Sequence, residues 1–102
     1  MENVRSLCAD LGLYAYHAAD SRRSWGAGFP DLVIAGPRGI LFREAKTENG
    51  ALTRGQKLWG YRLAESGGDW QVWKPRDLRP LGPGHPGTIQ RQLLWLAGRQ
   101  PR

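Results

Sequence analysis

The chain has 102 residues, 40% apolar and 24% charged, which suits one small domain with a single modest core and argues against wholesale disorder. No run approaches the ~20 consecutive apolar residues of a membrane span, and the opening MENVRSL lacks the basic and then apolar regions of a secretory signal. The expected location is therefore the cytoplasm, with no membrane partner. A single cysteine, Cys8, excludes an intramolecular disulfide, and with only His17 and His85 beside it a structural zinc site would need unusual ligands.

Formal net charge is +6 with pI ≈ 10.3, and it is spread unevenly. Residues 1–20 carry Glu2, Asp10 and Asp20 against Arg5, whereas residues 21–102 carry 14 Lys/Arg against 6 Asp/Glu. A domain of this kind attracts polyanions through phosphate contacts and counterion release. Five Trp and three Tyr lie among the charges. Each is either core, which a chain this short needs, or a surface on which unpaired bases stack.

In chain order, residues 2–12 predict a short helix: Val4, Leu7, Cys8 and Leu11 follow the i, i+3, i+4, i+7 spacing, and Gly12 suits the C-terminal cap. Cys8 reads as a small apolar residue of that helix. LYAYHA then alternates Leu13, Ala15 and His17 against Tyr14, Tyr16 and Ala18, the period of a strand. The polar, glycine-bearing ADSRRSWGAG is a loop holding Arg22 and Arg23. Residues 31–35 and 40–46 form two strands around the Gly-Pro-Arg-Gly turn at 36–39. After the loop TENGALTRG a helix is expected at about residues 54–65, with Thr53 and Gln56 matching the capping-box pattern and Leu58, Trp59, Leu63 and Ala64 forming its buried face. DWQVWKP is one more strand, stopped by Pro75, and RPLGPGHPG is a connector. TIQRQLLWLAGR places Ile89, Leu93 and Leu96/Ala97 at helical spacing behind Thr88. The order is α-β-β-β-α-β plus a C-terminal helix, an α/β class.

The hairpin carries the chemistry. If its turn joins the strands symmetrically, Ala35 faces Ile40, Val33 faces Phe42, and Asp31 faces Glu44. Opposed residues on one sheet face have Cβ atoms roughly 4.5–5.5 Å apart, where like charges destabilise. Glu44 and Lys46 are two apart and share that face. A divalent cation between the carboxylates removes the repulsion, and magnesium or manganese suits an oxygen-rich site. Lys46 would then stand near a metal-bound water or a substrate phosphate, as phosphodiester hydrolysis requires. The same residues also admit a plainer arrangement: a one-residue bulge would part the acids, and Arg43 or Lys46 would simply pair with Glu44 at the surface.

Gly28-Phe29-Pro30-Asp31-Leu32, then Phe42-Arg43-Glu44-Ala45-Lys46-Thr47, then Leu52-Thr53-Arg54-Gly55-Gln56-Lys57-Leu58-Trp59 resemble the VRR-NUC branch of the PD-(D/E)XK nuclease superfamily from about residue 26 to residue 78. The resemblance implies a restriction-endonuclease-like core over residues 1–78, a Pro/Gly-rich connector at 79–87, and an added C-terminal helix and tail at 88–102. It implies that Asp31, Glu44 and the Ala45 carbonyl bind Mg2+ or Mn2+, that Lys46 is the catalytic lysine, and that Gln56 stands beside the site. Members often carry a further acid on the first helix; Glu2 is the candidate here, with Asp10 the weaker one. Arg22, Arg23, Arg54 and Lys57 border the site in sequence and are expected to contact phosphates; His17 is not assigned as a base. The activity implied is a divalent-metal-dependent endonuclease acting on DNA, with branched or Holliday-junction DNA the substrate by analogy. By the same analogy a two-fold homodimer would supply two matched sites, and the C-terminal helix with Trp95 is one possible interface. Two other functions remain open on the residues alone: a nucleic-acid-binding module that keeps the fold without the chemistry, and a basic structural protein whose binding ignores divalent ions.

Overall fold

A computed structural model describes residues 2–18 and 26–99, with the side chain of Glu2 outside it. The elements are α1 (Glu2–Asp10), β1 (Tyr14–His17), β2 (Leu32–Gly36), β3 (Gly39–Ala45), α2 (Arg54–Glu65), β4 (Asp69–Trp73) and α3 (Thr88–Leu96), with a 3-10 turn at Pro75–Leu78 before α3. This is the α-β-β-β-α-β order with an added C-terminal helix. No helix among the described residues is long and apolar enough to cross a membrane.

The four strands form one sheet in the order β1-β2-β3-β4, antiparallel across the first two junctions and parallel across the third. The parallel junction follows from α2, because a parallel neighbour needs a crossover long enough to return the chain to the same end. The β2–β3 hairpin is unbroken from Leu32↔Arg43 through Val33↔Phe42 and Ala35↔Ile40 to Gly36↔Gly39. The bulge that would have parted the acids is absent. Gly39 closes the turn at φ +134, a conformation open to glycine and strained for other residues.

Side-chain alternation gives the sheet two distinct faces. One carries Leu32, Ile34, Leu41 and Trp73, which pack with Val4 and Cys8 of α1, Leu13, and Ile89, Leu93 and Leu96 of α3 into the main core. Cys8 is 2% exposed, and burial raises its thiol pKa, which fits a packing residue rather than a reactive one. Arg43 points to this same face, not toward Glu44. It is 1% exposed, pairs with Asp69 Oδ1 at 3.1 Å, and donates from Nη1 to the Asp69 carbonyl and from Nε and Nη2 to Gln92 Oε1 of α3. Trp73 Nε1 donates to the same Gln92 oxygen at 3.0 Å. The surface ion pair considered for Arg43 is thus ruled out by strand alternation: neighbours of even and odd number face opposite ways.

The other face carries α2, packed on β4. The expected capping box is formed: Gln56 N–H donates to Thr53 Oγ1, and Thr53 N–H donates to Gln56 Oε1 at 2.8 Å. The buried face of α2 differs from the expected one, since Leu58 is 54% exposed and Ala64 is exposed too. Gly60 is buried instead, because the Trp70 ring lies where its Cβ would be, 2.6 Å away. Phe29 completes the layer, edge-on to both Phe42 and Trp59. At the C-terminal helix the N-cap is Gly87, with Thr88 the first helical residue.

Candidate active site

The site lies where the hairpin ends and α2 begins. Two glycines bring them together. Gly28 has φ +95, and a Cβ there would meet the Gly55 backbone carbon at 2.5 Å. The loop before Pro30-Asp31 therefore touches the first turn of α2 backbone to backbone, without side chains between. Pro30 is fully buried and leads the chain into β2.

One step beyond the Leu32↔Arg43 pair, the register sets Asp31 opposite Glu44, as the symmetric hairpin predicted. Asp31 Oδ2 accepts the Ala45 N–H at 2.9 Å. In an antiparallel strand the N–H and C=O of one residue point to the same side, so the Ala45 carbonyl is directed toward Asp31 as well. Glu44 is 1% exposed. Its Oε1 accepts from Gln56 Nε2 at 3.2 Å, and its Oε2 is buried with no hydrogen-bond donor. The Gln56 orientation is dictated by the cap: Thr53 N–H claims Oε1, which leaves the amide nitrogen for Glu44. One glutamine therefore caps the helix and holds the carboxylate.

Electrostatics follow from this geometry. Burial pushes the Glu44 carboxyl pKa up to about 8; the neighbouring Asp31 carboxyl adds to the rise, and Lys46 opposes it. Without a cation, burial beside a second acid favours the uncharged form of Glu44. The donor set fits a hard divalent ion: two carboxyls, one of them with a buried oxygen left without a donor, and a strand carbonyl, with neither sulfur nor imidazole among them. No group of three or more His, Cys, Asp or Glu gathers among the described residues.

The other expected site residues are placed as follows. Lys46 continues β3 on the Glu44 face and is anchored by its N–H to the Trp73 carbonyl at 2.9 Å. Arg54 and Lys57 are exposed on the first turns of α2, whose N-terminus carries partial positive charge. Glu2 is the first residue of α1, but its side chain lies outside the described residues, as do Arg22 and Arg23. Asp10 is exposed at the far end of α1. His17 is exposed on β1 and belongs to the opposite sheet face. Trp95 is partly buried against the core, with the Arg38 guanidinium 5.4 Å above its ring.

A two-strand hairpin that presents the Asp of Pro-Asp with the Glu and Lys of Glu-x-Lys on one face, followed by a glutamine-bearing helix, is the arrangement of the PD-(D/E)XK class. A model of the VRR-NUC domain matches residues 4–77, and the chain belongs to that family. Among solved structures it is similar to a VRR-NUC domain protein, with 32% identity and a TM-score of 0.50 over 60% of this chain and 57% of that one. The similarity thus spans little more than half of that protein. It is also similar to Hjc, a Holliday junction resolvase from the archaeal hyperthermophile Archaeoglobus fulgidus, with 22% identity and a TM-score of 0.48 over 74% of this chain and 68% of that one. No curated protein matches the sequence.

Proposed function

We propose that this domain is a divalent-metal-dependent endonuclease that hydrolyses phosphodiester bonds in DNA, with branched DNA, including Holliday junctions, its preferred substrate class. One observation carries the reading: a fully buried glutamate with an orphaned oxygen stands opposite a second acid in a chain of net charge +6. A fold free of catalysis gains nothing from that pair, which costs stability when bare.

Asp31, Glu44 and the Ala45 carbonyl would hold Mg2+ or Mn2+, with Glu2 as a further ligand from α1. When bound, such an ion polarises a phosphoryl oxygen and lowers the pKa of a coordinated water. Gln56 holds Glu44 by one oxygen and leaves the other directed into the site. The Lys46 ammonium orients the attacking water by hydrogen bonding and offsets negative charge that builds on the phosphate. Arg54 and Lys57, beside the positive end of α2, hold flanking phosphates, as do Arg22 and Arg23 from the loop after β1. A two-fold homodimer would present two such centres to the two equivalent strands of a junction.

A second reading, a binding module without chemistry, is favoured by the convergence of only two acids among the described residues. Glu44→Ala separates the two. The nuclease reading expects cleavage abolished and DNA binding retained; equal residual cleavage in wild type and variant would support the module.

A further inference from the structure

On the sheet face that carries Asp31 and Glu44, α2 lies over the β4 side, and among the described residues Tyr14 and Tyr16 stay exposed on the β1 side. The register builds three cross-strand rows on this face. The outermost is Tyr14–Ala35–Ile40, the next is Tyr16–Val33–Phe42, and one step further Ala18 donates its N–H to the Asp31 carbonyl in line with Glu44. Tyr14 is 83% exposed, Tyr16 66% and Ile40 50%. Successive rows are separated by two residues of strand and neighbouring strands by one sheet spacing, so the Cα atoms of Tyr16 and Asp31 lie about 8 Å apart. That is roughly the span of one or two nucleotides.

Resting on the nuclease reading above, we infer that Tyr14 and Tyr16 form a stacking platform for unpaired bases of the DNA whose backbone lies at the Asp31–Glu44 pair. The division of labour among the aromatics supports it. Trp59, Trp70 and Trp73 are packed against Phe29, Gly60 and Arg43, and Trp95 lies against the core. The tyrosines, by contrast, face solvent on a strand that carries no acid.

DNA suits this surface better than a second copy of the chain. Apart from the candidate metal-binding pair, the three rows contain no charge, and the rows end at that pair, so an occupant of the platform lies against the reacting centre. The exposed cations Arg54 and Lys57 stand on the opposite flank, at the start of α2. Phosphates on the α2 flank and bases on the β1 flank satisfy both surfaces. The platform would also favour DNA with unpaired nucleotides next to a duplex, since a fully paired strand offers no free base face.

The experiment uses the full chain in EDTA, so that no cleavage occurs. It measures binding to a flapped duplex carrying 2-aminopurine at the first unpaired position, beside the matched plain duplex. Wild type is expected to quench the fluorophore. Tyr14→Ala and Tyr16→Ala are expected to bind the flap about tenfold more weakly, within the range of one lost stacked base, while keeping wild-type affinity for the duplex. Tyr16→Phe, which retains the ring, should behave as wild type. Unchanged flap affinity in both alanine variants would overturn the platform, as would equal weakening on flap and duplex. Sedimentation of the same variants tests the competing occupant: a wild-type dimer that the alanine variants dissociate, with flap binding intact, assigns the face to a second copy and overturns the proposal. Quenching by a wild type that never cuts DNA in Mn2+ would leave the platform standing and remove the catalytic reading.

Discussion

At the scale of single residues, Glu44 dominates the electrostatics of the site. Its carboxyl is raised from the ordinary 4.5 to about 8, first by burial and then by Asp31. A carboxyl raised on folding binds more protons in the native than in the unfolded state, so its contribution to stability is full below the unfolded value and is lost as pH rises toward the folded one. In EDTA the protein is therefore expected to lose stability between about pH 4.5 and pH 8, by an amount of the order of a few kcal/mol. Glu44→Gln should flatten that slope and raise the melting temperature at pH 8. Urea denaturation across the pH range checks both, and a wild-type slope matching that of the variant would refute the assignment. Lys46→Ala belongs to the same scale: DNA affinity is expected to stay within about threefold of wild type while the cleavage rate falls by about a hundredfold or more, in line with loss of a group that orients the reacting water.

At the scale of elements, two devices hold the site together. Gly28 allows the loop before Asp31 to meet the first turn of α2, and Gly28→Ala adds a side chain at φ +95 against the Gly55 backbone. A loss of about 2 kcal/mol or more in stability is expected, with weaker cleavage because Gln56 moves away from Glu44. On the other face, Gln92 of α3 receives Arg43 and Trp73 and donates to Gln71 at 2.8 Å. Gln92→Leu keeps the volume but strips those buried donors of an acceptor, for an expected cost of about 1–3 kcal/mol by denaturant titration. These elements also mark what was legible in the sequence. The hairpin register could be counted from its turn, and the start of α2 could be placed from its capping box. The buried face of α2 could not, because helical periodicity credits Leu58 and Ala64 and is blind to a glycine packed under Trp70. The Arg43–Gln92 link was equally hidden, since its partners are 49 residues apart in sequence and no local pattern joins them.

At the scale of the molecule, charge and exposed surface decide what the domain meets. Binding to DNA is expected to weaken with rising salt, and Arg54→Ala and Lys57→Ala should each lower the slope of log affinity against log salt by about one if each neutralises one phosphate. Composition did not reveal which aromatics the surface would expose: all three tyrosines face solvent, at 83%, 66% and 71% for Tyr14, Tyr16 and Tyr61, while Trp73 is 3% exposed. The reason is physical, because a small core is filled by its largest apolar rings, whereas a phenol tolerates water at its hydroxyl.

Asp31 and Glu44 are proposed to hold the divalent ion with which this domain cuts DNA, aided by Lys46. Cleavage of matched linear, flapped and four-way DNA by wild type and Lys46→Ala, in Mn2+, in Mg2+ and in EDTA, tests that role. Cutting by wild type is expected in the metal-containing reactions, strongest on branched DNA, with none in EDTA and little by the variant. Tight DNA binding without cleavage on any substrate, or cleavage that survives in EDTA, would contradict it.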